Sequence, residues 1–112
     1  MSPITTHVLD VSLGRPAAGV PAVLEGQEKS AWKELGRGVT DADGRIKTLL
    51  PDGPAAAGTY RLTFDTAAYF KVQKTDAFFP SVSVTFTVDR AGGHYHVPLL
   101  LSPFGYSTYR GS

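Results

Sequence analysis

The segment VSVTFTVDRAGGHYHVPLLLS, residues 82–102, alternates between apolar and polar residues on both sides of a pair of glycines. Alternation with a period of two is typical of β-strands, because successive side chains point to opposite faces of a sheet. The segment therefore predicts strands over 82–89 and 94–102, joined by a turn at 91–93.

The two faces of the strand predicted over 94–102 differ in character. One face is apolar and is predicted to lie in the core: Tyr95, Val97, Leu99 and Leu101. The other face mixes imidazoles with a proline and a leucine: His94, His96, Pro98 and Leu100. A face of this composition is neither ordinary core nor ordinary solvent surface, so it indicates a pocket or a subunit interface.

Further short alternating segments run along the chain, separated by Gly, Pro and Asp residues. They predict strands over 4–11, 20–27, 31–40, 45–50, 59–65 and 104–110. The only helix predicted is a short one over 66–74, with Asp65 or Thr66 as its N-cap. About eight strands and one short helix predict an all-β sandwich, and the length predicts a single domain over residues 1–112.

The composition excludes several classes of function. The net charge is +1, which gives no general reason to expect nucleic acid or acidic membranes as partners. The sequence has no cysteine, which excludes disulfides, thiolate metal sites and cysteine nucleophiles. The opening MSPITTHVLD does not have the pattern of a signal peptide, and no segment is apolar enough for a membrane helix. We therefore expect a cytoplasmic protein.

Three histidines, His7, His94 and His96, are the side chains suited to proton transfer at neutral pH. Histidines from two different strands could converge on one water molecule, with one acting as general base. The competing interpretation is that each is an ordinary surface or hydrogen-bonded core histidine, and the pattern alone favours that interpretation.

Other chemistries receive less support from the sequence. An open zinc site could be built from His94, His96 and His7, but no acidic residue flanks His94 and His96, so we expect no metal. A serine nucleophile elbow and a phosphate-binding glycine loop are both absent from the sequence. The ordinary interpretation of Arg45 is a solvated side chain after a turn, and that of Arg110 is part of a frayed chain end. Either guanidinium could instead hold an anionic, carbonyl-rich ligand.

Five segments together resemble one known family. They are THVLDVSLGRPAAGV (6–20), DADGR (41–45), YRLTFDTAAYF (60–70), FFPSVSVTF (78–86) and HYHVPLLLSPFGYSTYRGS (94–112). In this order they are similar to the transthyretin family, over nearly the whole chain. The tetrapeptide YRGS (109–112) and the two histidines His7 and His96 indicate its hydrolytic branch, because hormone-carrying transthyretins lack them.

The resemblance implies an architecture. It is an eight-stranded sandwich of two four-stranded sheets with one short helix. It also implies a homotetramer, assembled as a dimer of dimers, with a central channel lined by the first strand and the last two. Residues His96, Leu100, Ser107 and Tyr109 would then line a site shared by two subunits.

The resemblance also implies an activity in urate breakdown, namely the hydrolysis of 5-hydroxyisourate without a cofactor. The implied catalytic residues are His7, Arg45, His96 and Ser112, and the implied substrate-binding residues are Tyr109, Arg110 and Gly111. His94 is expected to be peripheral. The alternative is a non-catalytic tetramer that binds a small aromatic ligand in its channel.

Overall fold

The computed structural model describes residues 2–89 and 93–112. The strands in these ranges are β1 (Ile4–Asp10), β2 (Arg15–Pro16), β3 (Pro21–Glu28), β4 (Ala31–Val39), β5 (Arg45–Ile46), β6 (Gly58–Phe64), β7 (Val82–Val88), β8 (Tyr95–Ser102) and β9 (Gly105–Thr108). The helix is α1 (Thr66–Val72). Most of the turn predicted at 91–93 lies outside the described residues.

The strands form two sheets. One sheet has the order β4-β3-β6-β7, and all of its neighbouring strands are antiparallel. The other has the order β2-β1-β8-β9, and β5 pairs with β1 as well. The predicted all-β sandwich with one short helix is confirmed in the described residues. The second sheet has five strands instead of four, because the two-residue strands β2 and β5 both pair with β1.

The core lies between the sheets and is built from the apolar face of each strand. The face predicted from alternation in β8 is buried as expected: Tyr95, Val97, Leu99 and Leu101. Ile4 and Val8 of β1 are also fully buried, as are Leu62 and Phe64 of β6. Burial of these side chains removes apolar surface from water, which is the main favourable contribution to folding.

The strand predicted over 45–50 is much shorter in the structure, where β5 ends at Ile46. Beyond it, the side chain of Leu49 turns into the core. The backbone N–H of Leu50 donates to Oγ of Ser2 at 3.1 Å instead of to a neighbouring strand. The backbone therefore leaves the sheet after Ile46, and Leu49 contributes to the core from outside a strand.

Helix α1 begins as the sequence predicts. Oδ1 of Asp65 accepts a 3.0 Å hydrogen bond from the backbone N–H of Ala68, which is the geometry of an N-cap. The helix buries Thr66, Tyr69 and Phe70. It is too short to cross a membrane, and the structure has no other described helix.

Candidate active site

The parallel pairing of β1 with β8 brings the two ends of the sequence together. In this register Thr5 lies opposite His96, and His7 lies opposite Pro98. On the other side of β1, the antiparallel pairing with β5 places Arg45 opposite His7. The sheet therefore puts the predicted residues His7, Arg45 and His96 on three adjacent strands.

His96 lies between the other two imidazoles. The centre of its ring is 6.4 Å from that of His7 and 6.5 Å from that of His94. The rings of His94 and His96 are nearly parallel, with 16° between their planes. In the described part of the chain, no group of three or more His, Cys, Asp or Glu side chains is arranged to hold a metal ion.

A small cavity of about 150 Å³ opens beside these histidines. Its lining residues are polar or cationic: Thr5, Thr6, Arg45, Lys47, His94, His96 and Ser112. Three of the predicted catalytic residues, Arg45, His96 and Ser112, thus meet at one cavity. The fourth, His7, lies next to the cavity, because its ring is beside the ring of His96.

The surroundings of His96 lower its pKa below the ordinary value. Burial is the largest cause, because desolvation disfavours the charged imidazolium. The positive charge of Arg45 contributes next, followed by His7 and His94. The lowered pKa favours the neutral imidazole near pH 7, and a neutral imidazole is able to accept a proton.

The chain after β9 returns to the site through Gly111. Its backbone N–H donates to the carbonyl oxygen of His96 at 2.8 Å and forms an antiparallel bridge with that residue. A Cβ atom at position 111 would lie only 2.6 Å from Cδ2 of His96. Glycine therefore allows the backbone to lie directly against the His96 ring, and Ser112 then reaches the cavity.

Tyr109 and Arg110 do not line the cavity that contains Arg45 and Ser112. The guanidinium carbon of Arg110 lies 4.5 Å from the centre of the Tyr95 ring, in a cation–π contact. Both residues line a second cavity of about 220 Å³. Residues Val84 to Thr87 of β7 form another part of its wall. His96 lines this second cavity as well, so within one chain Tyr109 and Arg110 share a cavity with His96 but not with Arg45 or Ser112.

Three residues at the cavity, Thr5, Thr6 and Lys47, were not predicted from the sequence. Thr5 is buried, and its hydroxyl oxygen lies 2.8 Å from Nδ1 of His96. The alternation in ITTHVLD places Thr5 on the same face of β1 as His7, which was the available signal. Its contact with His96 depends on the parallel register of β1 and β8, which no local pattern specifies.

Comparison with known proteins gives a consistent result. The model of the HIUase/Transthyretin family matches residues 4–111. A protein named 5-hydroxyisourate hydrolase from Salmonella dublin is 51% identical over 109 residues, covering 97% of this chain and 80% of that protein. A mouse protein of the same name is 46% identical over 113 residues, covering 99% of this chain and 96% of the mouse protein.

Solved structures from both branches of the family have the same fold. Sea bream transthyretin in complex with thyroxine superimposes with a TM-score of 0.91 at 35% identity, covering 98% of this chain and 95% of that one. The 5-hydroxyisourate hydrolase of Klebsiella pneumoniae superimposes with a TM-score of 0.84 at 38% identity, covering 97% and 98%. From the family match and these similarities, the chain belongs to the HIUase/Transthyretin family.

Proposed function

We propose that the protein is a hydrolase that opens the six-membered ring of 5-hydroxyisourate. The observation that carries this proposal is the half-buried His96, whose lowered pKa favours the neutral imidazole beside a cavity that also contains Arg45. The names of the Salmonella and mouse relatives support the choice of substrate. A base and a fixed cation at one small polar cavity suit hydrolysis of a planar, carbonyl-rich molecule.

The proposed reaction adds one water molecule across a cyclic amide bond. His96 accepts a proton from water at Nε2, and the resulting hydroxide oxygen bonds to the ring carbonyl carbon. The carbon–nitrogen bond then breaks, and the departing nitrogen takes the proton back from the His96 imidazolium. The product is 2-oxo-4-hydroxy-4-carboxy-5-ureidoimidazoline, and this sequence of steps requires no cofactor.

Arg45 is the proposed stabiliser of the negative charge that develops on the carbonyl oxygen. Its guanidinium is a permanent cation at the wall of the cavity, so it needs no rearrangement as the charge forms. His7, whose ring lies beside that of His96, is proposed to orient the attacking water. Ser112 is proposed to donate a hydrogen bond that positions the substrate ring.

Tyr109, Arg110 and Gly111 are the proposed substrate-binding residues, and in the single chain all three lie close to His96. We propose a homotetramer, a dimer of dimers, in which Tyr109 and Arg110 bind substrate at a site between subunits. Large exposed apolar side chains support an interface on this part of the molecule, with Phe104 71% and Tyr109 58% exposed. The cysteine-free composition supports a cytoplasmic location.

The test is the decay of freshly generated 5-hydroxyisourate, followed by absorbance with wild-type protein, with His96→Ala and without protein. We expect the wild type to accelerate the decay and His96→Ala to lose roughly a hundredfold or more of that acceleration. Thr63→Ala, on the outer face of the opposite sheet, serves as a control that should keep full activity. Decay at the spontaneous rate with folded wild type would instead favour the non-catalytic carrier of a small aromatic ligand.

A further inference from the structure

The side chain of Thr5 occupies a specific position between two imidazoles. Its hydroxyl oxygen lies 2.8 Å from Nδ1 of His96 and 3.2 Å from Nε2 of His94. The residue is only 6% exposed, so water does not compete freely for this hydroxyl. The pairing of β1 with β8 places Thr5 directly opposite His96, so the shorter contact follows from the register of these two strands.

A hydroxyl group has one proton, so it donates to one imidazole while it accepts from the other. Two arrangements satisfy both contacts of Thr5. In the first, Nδ1–H of His96 donates to Thr5, and Thr5 donates to Nε2 of His94. In the second, every donor and acceptor is reversed, so His96 is deprotonated at Nδ1 and holds its proton on Nε2.

Only the first arrangement agrees with a His96 that accepts a proton from water. It leaves the lone pair of Nε2 unused, and no group among residues 2–89 and 93–112 forms a hydrogen bond with that atom. When His96 then gains a proton at Nε2, its Nδ1–H still donates to Thr5. The first arrangement therefore persists in both protonation states, whereas the second would have to reverse.

We propose that Thr5 is a positioning residue whose hydroxyl, bonded also to His94, holds His96 in the tautomer that carries its proton on Nδ1. The proposal rests on the function proposed above, and it gives a supporting role to His94, which was expected from the sequence to be peripheral and which lines the cavity. Arg45, His7 and Lys47 also face this part of the site, but none of them forms a hydrogen bond with Nδ1 of His96. Thr5 is thus the group that determines which nitrogen is free.

The kinetic test compares Thr5→Val, which keeps the shape but removes the hydroxyl, with Thr5→Ser, which keeps the hydroxyl. We expect kcat to fall roughly 10- to 100-fold in Thr5→Val with little change in KM, since one hydrogen bond to a charged intermediate is lost. Thr5→Ser should recover activity to within a few-fold of the wild type. The matched control is Thr63→Val, which removes a hydroxyl bonded to Ser83 on the other sheet and should leave kcat unchanged.

The spectroscopic test reads the tautomer directly from the nitrogen chemical shifts of ¹⁵N-labelled histidine. Neutral His96 should be protonated at Nδ1 in the wild type, and the proton should shift toward Nε2 in Thr5→Val. Wild-type His96 protonated at Nε2 would overturn the proposal, and so would wild-type kcat in Thr5→Val. The wild-type spectrum decides the matter even if Thr5→Val does not fold, and it does so whether or not 5-hydroxyisourate is the substrate.

Discussion

The backbone N–H of Gly111 donates a 2.8 Å hydrogen bond to the carbonyl oxygen of His96. The returning chain and the His96 ring are therefore packed in direct contact, without room for a side chain at position 111. Gly111 can contribute to the site by this close approach alone, apart from any contact that it makes with substrate.

Replacing Gly111 by alanine should reduce activity while the sandwich remains folded. The new Cβ atom would lie 2.6 Å from Cδ2 of His96, so either the ring or the tail has to move. We expect kcat/KM to fall at least roughly tenfold, because small displacements of catalytic groups are costly. The control is Gly105→Ala, whose Cβ would meet its nearest neighbour, Oγ of Ser102, at an ordinary 3.7 Å. Wild-type kinetics in Gly111→Ala would show that the close packing has no role.

The pH dependence of kcat/KM should reveal the lowered pKa of His96. His96 acts as a base only when neutral, so activity is retained at neutral pH and lost as the pH falls through its pKa. We expect the midpoint of this acid limb to lie below 6.5, the ordinary value for histidine. The pKa of His96 is lowered because burial, and after it the positive charge of Arg45, disfavours the charged imidazolium.

Variants of Arg45 should separate the effect of its charge from that of its shape. Arg45→Met removes the charge, so the midpoint of the acid limb should rise toward the ordinary value while kcat falls. Arg45→Lys keeps the charge, so the midpoint should stay near that of the wild type, although kcat falls because the planar fork of donors is lost. An identical midpoint in Arg45→Met and the wild type would contradict the electrostatic contribution of Arg45.

Removal of Arg110, Gly111 and Ser112 should abolish activity without unfolding the protein. The last strand, β9, ends at Thr108, so the sheets stay complete. The variant loses the Gly111 hydrogen bond, the contact of Arg110 with Tyr95 and the Ser112 side chain at the cavity. We expect a loss of roughly a hundredfold or more in kcat/KM, with an unchanged melting temperature. Full activity in the shortened chain would refute the proposed role of the tail.

A second network, away from the active site, should matter for stability. The buried carboxylate of Asp10 accepts hydrogen bonds from Ser12, from the backbone N–H of Leu13 and from the hydroxyl of Tyr69 at 2.6 Å. Tyr69→Phe should lower the free energy of unfolding by about 1.5–3 kcal/mol, measured by urea denaturation, because it removes a hydrogen bond to a charged group. Tyr106→Phe, at a half-exposed tyrosine, is the control and should change it by less than about 0.5 kcal/mol.

The same network predicts how stability depends on pH. Burial raises the pKa of Asp10, but the hydrogen bonds from Ser12, Tyr69 and Leu13 outweigh it, so the pKa is lowered overall. A lowered carboxyl pKa contributes stability that is fully present above about pH 4 and is lost as the pH falls through the folded-state value. Asp10→Asn should therefore be less stable at neutral pH and lose less stability on acidification. If the free energy of unfolding fell equally on acidification in the wild type and in Asp10→Asn, Asp10 would be excluded as the source of that loss.

Local patterns in the sequence predict much of this fold and part of the site. The alternation in β8 predicted the buried face from Tyr95 to Leu101, and of the two predicted N-caps, Asp65 and Thr66, the structure has Asp65. Leu49 was wrongly assigned to a strand. It is buried outside any strand, and the tertiary contacts that bury it are not visible in the local sequence pattern. Thr5 was missed for a related reason, since its partner His96 lies 91 residues away along the chain.

The pairing of β1 with β8 also has a consequence for biosynthesis. A ribosome makes β1 well before β8, so the apolar side chains of Ile4 and Val8 lack their neighbours on β8 until that strand has been made. Such non-local pairing slows folding and leaves an unpaired strand edge open to aggregation in the nascent chain. The same pairing joins Thr5 to His96, so formation of the β1–β8 pair also assembles these groups of the site. Recovery of enzymatic activity during refolding should therefore coincide with completion of the sheet, and a partly folded chain should have none.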